Sequence, residues 1–161
     1  MERILVCSDI HRNLTNFQSA LEEADRPDRI LLLGDLERDP EEFRCLAGMI
    51  PCVIVRGNCD RVFGDALPEN AVFTLPGHTF FLTHGHRYGV RGGSYAALFA
   101  EAQKRGADIA LFGHIHRRVE ERAGGVLLLN PGALKDGPSG RSFLLLTLRD
   151  DGGVETEFRR L

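Results

Sequence analysis

The sequence contains no long apolar run, no closely spaced cysteine pair and no excess of positive charge. Its longest apolar stretches, such as 126–129 and 143–146, have the length of strands, far below the roughly 18 residues of a membrane helix. The four cysteines form no C-x-x-C pair, which argues against a disulfide framework and a structural zinc knuckle. With 20 Lys and Arg against 23 Asp and Glu, the formal charge of −3 argues against extended nucleic acid and acidic lipid as partners.

The first residues also lack the basic, apolar and small-residue order of a secretory leader, since they run directly into a strand-like segment at 3–7. We therefore expect a soluble, cytoplasmic protein. A length of 161 residues predicts one domain over 1–161, large enough to bury a core. The sequence leaves the oligomeric state open, a homo-oligomer included.

The first half of the chain alternates strand-like and helix-like segments. The strands are predicted at 3–8, 30–33 and 52–55, with helices at 14–24 and 40–48. Asp39 can cap the second helix, with Pro40 at its first position. This β-α-β-α-β order predicts parallel strands joined by crossover helices.

The second half is predicted to consist of antiparallel hairpins. Its strands are expected at 72–75, 79–83, 109–112, 118–122, 125–129, 142–148 and 154–158. A third helix is predicted to open at Ser94, and His78 is placed in an exposed turn. A parallel half followed by an antiparallel half predicts two sheets packed face to face, with helices outside.

Polar side chains follow the ends of five predicted strands. These are Asp9 and His11, then Asp35, then Asn58, Cys59 and Asp60, then His84 and His86, and finally His114 and His116. Ligands bind at this edge in open α/β sheets, so residues distant in sequence can converge there. The mixture of carboxylates, imidazoles and an amide suits Mn²⁺, Fe²⁺, Co²⁺, Ni²⁺ or Zn²⁺ better than Mg²⁺ or Ca²⁺.

The order Asp-x-His, Gly-Asp, Gly-Asn-x-Asp, His-Gly-His and Gly-His-x-His resembles the calcineurin-like metallophosphoesterase superfamily. The short length, the Gly-Asn-Cys-Asp at 57–60 and the Asn-Pro-Gly at 130–132 are most similar to its small prokaryotic phosphodiesterases. The resemblance implies an α/β fold, a four-layer α/β/β/α sandwich with two mixed sheets. It also implies a dinuclear metal site.

The resemblance assigns a ligand set to each of two divalent transition-metal ions. One ion would bind Asp9, His11, Asp35 and His116, and the other Asp35, Asn58, His84 and His114, with Asp35 bridging. Manganese is the first expectation, and iron, nickel, cobalt and zinc are alternatives. The implied reaction is hydrolysis of a small phosphodiester by a hydroxide that bridges the ions.

Cys59 departs from a common family pattern, because many members carry a histidine there that can protonate the leaving oxygen. The missing acid predicts a preference for diesters over monoesters, while Asp35 and Asn58 are expected to act catalytically and Asp60 to orient ligands. Arg12 stands where the family often has glycine. The candidates for substrate contact are Arg12, Asn13 and His86.

Two other functions stay open at this point. A metal-binding scaffold of the same fold, like the retromer scaffold subunit, would keep the ligands and serve in protein assembly. An enzyme with another substrate, a phosphomonoester or a nucleic-acid end, would use the same residues. Ligand residues alone do not separate binding from turnover.

Overall fold

The computed structural model describes residues 1–137 and 140–161, which form ten strands and three α-helices. In chain order these are β1 (Glu2–Cys7), α1 (Leu14–Ala24), β2 (Arg29–Leu32), α2 (Pro40–Ala47), β3 (Cys52–Ile54), β4 (Asn70–Leu75), β5 (His78–Thr83), α3 (Ala96–Lys104), β6 (Ile109–Leu111), β7 (Arg118–Ala123), β8 (Val126–Pro131), β9 (Ser142–Leu148) and β10 (Val154–Arg160). Short 3₁₀ turns lie at Gly64–Ala66 and Val90–Gly92. None of the helices in these ranges has the length and apolarity that crossing a membrane requires.

The strands form two five-stranded sheets that pack face to face. The first sheet has the order β10-β9-β1-β2-β3 and the second the order β4-β5-β6-β8-β7. Along β1 the side chains alternate: Ile4 and Val6 pack between the sheets, and Leu5 packs with Phe17 of α1 on the outer face. α3 covers the outer face of the second sheet, where Leu98 is fully buried. The predicted four-layer α/β/β/α sandwich with two mixed sheets is confirmed.

The first half folds as the sequence pattern predicts. β1, β2 and β3 are parallel neighbours, and α1 and α2 provide the crossovers. The Asp39 side chain accepts a hydrogen bond of 3.0 Å from the Glu41 N–H at the start of α2. Gly48 ends this helix with a φ of 63°, and its N–H reaches the Arg44 carbonyl at 3.0 Å.

The prediction of an antiparallel second half is wrong in part. β5, β6 and β8 are parallel neighbours, because α3 serves as a crossover between β5 and β6. β9 and β10 leave this sheet and complete the first one, with β9 antiparallel to β1. The β9 residues Phe143 to Leu146 are buried, so this strand needs a central position with both faces covered.

Two local predictions are also corrected. α3 begins at Ala96 after Tyr95, while Ser94 lies one residue earlier, its Oγ 3.5 Å from the Ala96 N–H. His78 is the first residue of β5, and its Nδ1 lies 2.6 Å from Asp108 Oδ2. This hydrogen bond holds the imidazole against the protein, so His78 is not an exposed turn residue.

Candidate metal centre

Seven side chains from five strand-end loops meet at one edge of the sandwich. They are Asp9, His11, Asp35, Asn58, His84, His114 and His116, the full set of predicted metal ligands. Asp9 Oδ1 lies 3.0 Å from His116 Nε2 and 3.8 Å from His11 Nε2. His84 Nε2 lies 3.2 Å from Asp35 Oδ2 and 3.1 Å from Asn58 Oδ1. These residues, which come from across the chain, therefore share one cluster.

The backbone is strained where it presents these side chains. Asp9, His11, Asp35, His114 and His116 all have φ between 45° and 69°, in the left-handed region that side chains rarely adopt. Such conformations cost about 1 to 3 kcal/mol each and cluster at functional sites, although Asp25 and Arg26 after α1 also have positive φ. The repeated strain at this edge indicates that the loops are shaped for presenting ligands.

Two glycines let the loops approach one another closely. A Cβ added to Gly57 would lie 2.1 Å from Asp35 Oδ1 and 2.2 Å from the Asp35 nitrogen. One added to Gly113 would lie 1.9 Å from Ser8 Oγ. The cluster therefore requires glycine at both positions for steric reasons.

Buried hydrogen bonds fix these loops in place. Asp60 accepts bonds of 2.8 Å from the backbone N–H groups of Asp35, Gly57 and Glu37. Its carboxylate thus joins the loops after β2 and β3 and stays behind the ligands, as an orienting residue would. Asn130 donates to the Gly113 carbonyl at 2.8 Å and holds the loop that carries the histidines after β6.

The donor atoms of the cluster fit a divalent metal ion. His11 Nδ1 lies 2.7 Å from Glu37 Oε2, which directs Nε2 toward Asp9 and Asp35. That Nε2 atom is buried and has no hydrogen-bond partner among the described residues. His84 Nδ1 donates to the Leu33 carbonyl at 2.7 Å, which turns its Nε2 into the cluster as well. An orphaned ring nitrogen facing buried carboxylates is the arrangement that a cation would complete.

Asp35 and His84 shift each other's protonation. Burial acts to raise the pKa of Asp35, but the hydrogen bond and charge of His84 and the Cys59 N–H outweigh burial and lower that pKa well below its usual range. Burial acts to lower the pKa of His84, but Asp35 and Asp9 outweigh burial and raise it. Each of these two groups therefore favours the charged form of the other.

Burial, together with neighbouring charges, favours the uncharged form of two other side chains. Burial, followed by the charges of His84 and Arg91, lowers the pKa of His114 to about 4. Its imidazole is therefore neutral near pH 7, and its Nε2 accepts a hydrogen bond of 2.8 Å from Arg91 Nε. Burial, followed by the charge of Asp35, raises the pKa of Cys59 to about 11. In the metal-free protein the Cys59 thiol is therefore protonated near pH 7, which disfavours a thiolate nucleophile there.

The three predicted substrate contacts differ in position. Asn13 caps α1, because its side chain accepts a bond of 3.1 Å from the Asn16 N–H. Arg12 is exposed and borders a cavity beside the cluster. His86 lies next to His84, with 5.5 Å between the ring centroids, and its buried Nδ1 has no partner among the described residues. The structure thus brings Arg12 and His86 near the cluster and uses Asn13 as a helix cap.

Sequence reasoning missed three polar residues that support the ligands. Glu37 positions His11, Ser8 Oγ donates to Asp9 Oδ2 at 2.7 Å, and Asn130 holds the Gly113 loop. Ser8 directly precedes Asp9, Glu37 lies two residues after Asp35, and Asn130 stands in the Asn-Pro-Gly motif. Position beside a strand-end motif was the available signal, but only the structure shows the contacts.

Residues 2–151 match the calcineurin-like phosphoesterase superfamily domain. The chain is similar to the probable metallophosphoesterase YsnB of Bacillus subtilis, with 28% identity over 154 residues that cover 94% of this chain and 87% of that protein. A predicted phosphoesterase from Streptococcus pneumoniae superposes with a TM-score of 0.82 at 26% identity, over 99% of this chain and 89% of the other. A Vps29 variant of Entamoeba histolytica, 24% identical, has a TM-score of 0.74 over 99% of both chains and shows the shared fold alone.

The domain match covers nearly the whole chain and confirms the resemblance found from the motifs. The family implies metal-dependent phosphoester hydrolysis with divalent ions, and the cluster contains candidate groups to bind them. The chain belongs to the calcineurin-like phosphoesterase superfamily.

Proposed function

We propose that the protein hydrolyses small phosphodiesters at a centre of two divalent transition-metal ions, with manganese as the first candidate. The position of Asp35 is the observation that carries the proposal. Its Oδ2 atom lies 3.9 Å from His11 Nε2, in one donor group, and 3.2 Å from His84 Nε2, in the other. A carboxylate between two donor groups is suited to bridging two cations. The decisive test is whether replacing Asp35 removes metal-dependent hydrolysis of a small diester.

The side chains of the cluster would hold the ions and leave one side open to substrate. Asp9, His11 and His116 form one donor group, and Asp35 and His84, with His114 and Asn58, form the other. Ions bound there would lower the pKa of water and neutralise charge on phosphoryl oxygens. Asp9 and Asp35 are almost fully buried, so these two carboxylates would be held rigidly and poorly screened by solvent.

A protein-assembly scaffold is the second candidate, because the fold is shared with Vps29. The intact cluster and its supporting hydrogen bonds favour the enzyme. A chain that binds Mn²⁺ but hydrolyses neither diesters nor monoesters would instead be a scaffold. Faster turnover of monoesters than of diesters would assign it as a phosphomonoesterase.

Cys59 is expected to set the preference for diesters. Its thiol, with a pKa of about 11, is a weak proton donor to a leaving alkoxide. The parent chain should therefore hydrolyse diesters with acidic leaving groups faster than the matching monoesters. Because a positioned general acid contributes about 10² to 10⁴ in rate, Cys59→His should raise monoester turnover by about 10². The measurement is kcat for both ester types with Mn²⁺.

The matched control is Cys45→His, which changes an exposed cysteine on α2. It should leave both rates as in the parent. Equal monoester turnover by the two variants would contradict the assignment of the leaving-group position to Cys59.

Glu37 is expected to strengthen metal binding through His11. Its carboxylate is 2.7 Å from His11 Nδ1, and such supporting carboxylates are typically worth about 10- to 100-fold in metal affinity. Because a glutamine oxygen can still accept the hydrogen bond, Glu37→Gln should weaken Mn²⁺ binding by about tenfold. Titration calorimetry on metal-free protein measures the effect. Glu22→Gln, on the exposed side of α1, is the control, and equal affinities would refute the role of Glu37.

A further inference from the structure

A cavity of about 380 Å³ opens directly beside the metal-ligand cluster. Three of its lining residues also contact ligands of the cluster, Asp60 by accepting the Asp35 N–H at 2.8 Å. The Cys59 N–H donates to Asp35 Oδ1 at 2.7 Å, and Glu37 Oε2 lies 2.7 Å from His11 Nδ1. A substrate with its reacting phosphorus at the cluster can therefore extend its other half into this cavity.

The side chains that line this cavity carry a net positive charge. Three arginines line it, Arg12, Arg38 and Arg61. The acidic residues in its wall are already engaged: Asp60 accepts three backbone N–H bonds, and Glu37 faces His11. Arg12 Nη2 lies 3.6 Å from Glu37 Oε1, and Arg38 pairs with Glu42. Arg61, by contrast, forms no ion pair within the ranges 1–137 and 140–161. A free guanidinium in such a wall is suited to binding a phosphate.

The other wall of the cavity is apolar and exposed. Val62 is 81% exposed and Phe63 is 44% exposed, and both line the cavity next to Arg61. Large apolar side chains at the rim of a cavity commonly mark a binding site. The Phe63 ring offers a flat surface on which a nucleic-acid base can stack.

We propose that this cavity binds a nucleoside monophosphate unit, with the base against Phe63 and the phosphate at Arg61. The part of this proposal that concerns the substrate rests on the proposed function. If the cavity holds half of the substrate, that substrate is a short dinucleotide with a terminal phosphate. The volume lies near the lower end of the roughly 300 to 1,000 Å³ typical of small-molecule sites, so it suits one nucleotide. The net charge of −3 favours a short ligand over a long nucleic acid.

The first test uses metal-free protein and adenosine 5′-monophosphate, so it needs no catalysis. Calorimetry should detect binding to the parent, and Phe63→Ala should weaken it by about tenfold or more. Arg61→Gln should weaken binding of the nucleotide but not of adenosine. Val72→Ala and Arg122→Gln change exposed side chains on β4 and β7 and should bind as the parent does. No nucleotide binding, equal affinity for inorganic phosphate, or equal losses in the controls would overturn the proposal.

The second test compares KM values with Mn²⁺ for a 5′-phosphorylated dinucleotide and for bis(p-nitrophenyl) phosphate. Phe63→Ala should raise KM for the dinucleotide more than for the small diester, and an equal change would overturn the substrate assignment. Nucleotide binding that depends on Phe63, without turnover of any diester, would refute the proposed function and keep the nucleotide site. Turnover of the small diester without nucleotide binding would refute the nucleotide site alone.

Discussion

Replacing Asp35 with asparagine is expected to reduce the rate of Mn²⁺-dependent diester hydrolysis by a factor of about 10² to 10⁴. The loss of charge should remove several kcal/mol of electrostatic stabilisation from the transition state, and each 1.36 kcal/mol lowers the rate about tenfold. The substitution keeps the shape of the side chain but removes its charge from between the two donor groups. Asp35 Oδ2 lies 3.2 Å from His84 Nε2. Metal affinity should fall together with the rate. The measurements are kcat with a small diester and Mn²⁺ binding by calorimetry.

The control for this variant is Asp108→Asn. Asp108 is also a carboxylate beside a strand, but it bonds His78 and the Thr79 N–H at the opposite end of β5. Its replacement should leave Mn²⁺ affinity and diester hydrolysis unchanged. Unchanged hydrolysis by folded Asp35→Asn protein would refute metal catalysis at this cluster.

Adding one methyl group at Gly57 is expected to impair both folding stability and activity. A Cβ there would collide with the backbone nitrogen and the carboxylate of Asp35, at 2.2 and 2.1 Å. Because the backbone of one of the two loops must move, Gly57→Ala should lower the free energy of unfolding by about 1 to 3 kcal/mol, the usual cost of overpacking. Displacement of Asp35 by as little as 1 Å should reduce kcat by about 10². Denaturant unfolding of metal-free protein and diester hydrolysis measure the two effects.

Gly92→Ala separates this steric effect from the general cost of replacing glycine. Gly92 has open space around its Cβ position and does not require a positive φ. Its variant should unfold and hydrolyse diesters almost as the parent does. If Gly57→Ala behaved like Gly92→Ala in both measurements, the close contact between the loops would have no role in the site.

The first-sheet strands were predictable because their pattern is local. β1, β2 and β3 are apolar runs separated by helices with recognisable caps, and parallel pairing follows from that order. The partners of β9 and β10 were not predictable in the same way. A buried run such as β9 requires two covered faces, but this requirement does not specify which sheet covers them.

The same division applies to the cluster. The metal-ligand candidates were found from the sequence because each follows a strand end, and the spacing of those motifs is local information. Glu37 was missed because its role depends on a contact of 2.7 Å with His11, which lies 26 residues earlier. The chemical type of a residue is visible in sequence, whereas the atom that it faces is not.

The sequence by itself determined the strand-end motifs, the family and the kinds of donor atom available. Only the tertiary structure decided which nitrogen of His11 and His84 faces the carboxylates, and which side chains form the cavity with Phe63. The physical reason is that ring orientation and cavity shape depend on hydrogen bonds and packing between distant segments. Those interactions exist only once the two sheets have come together.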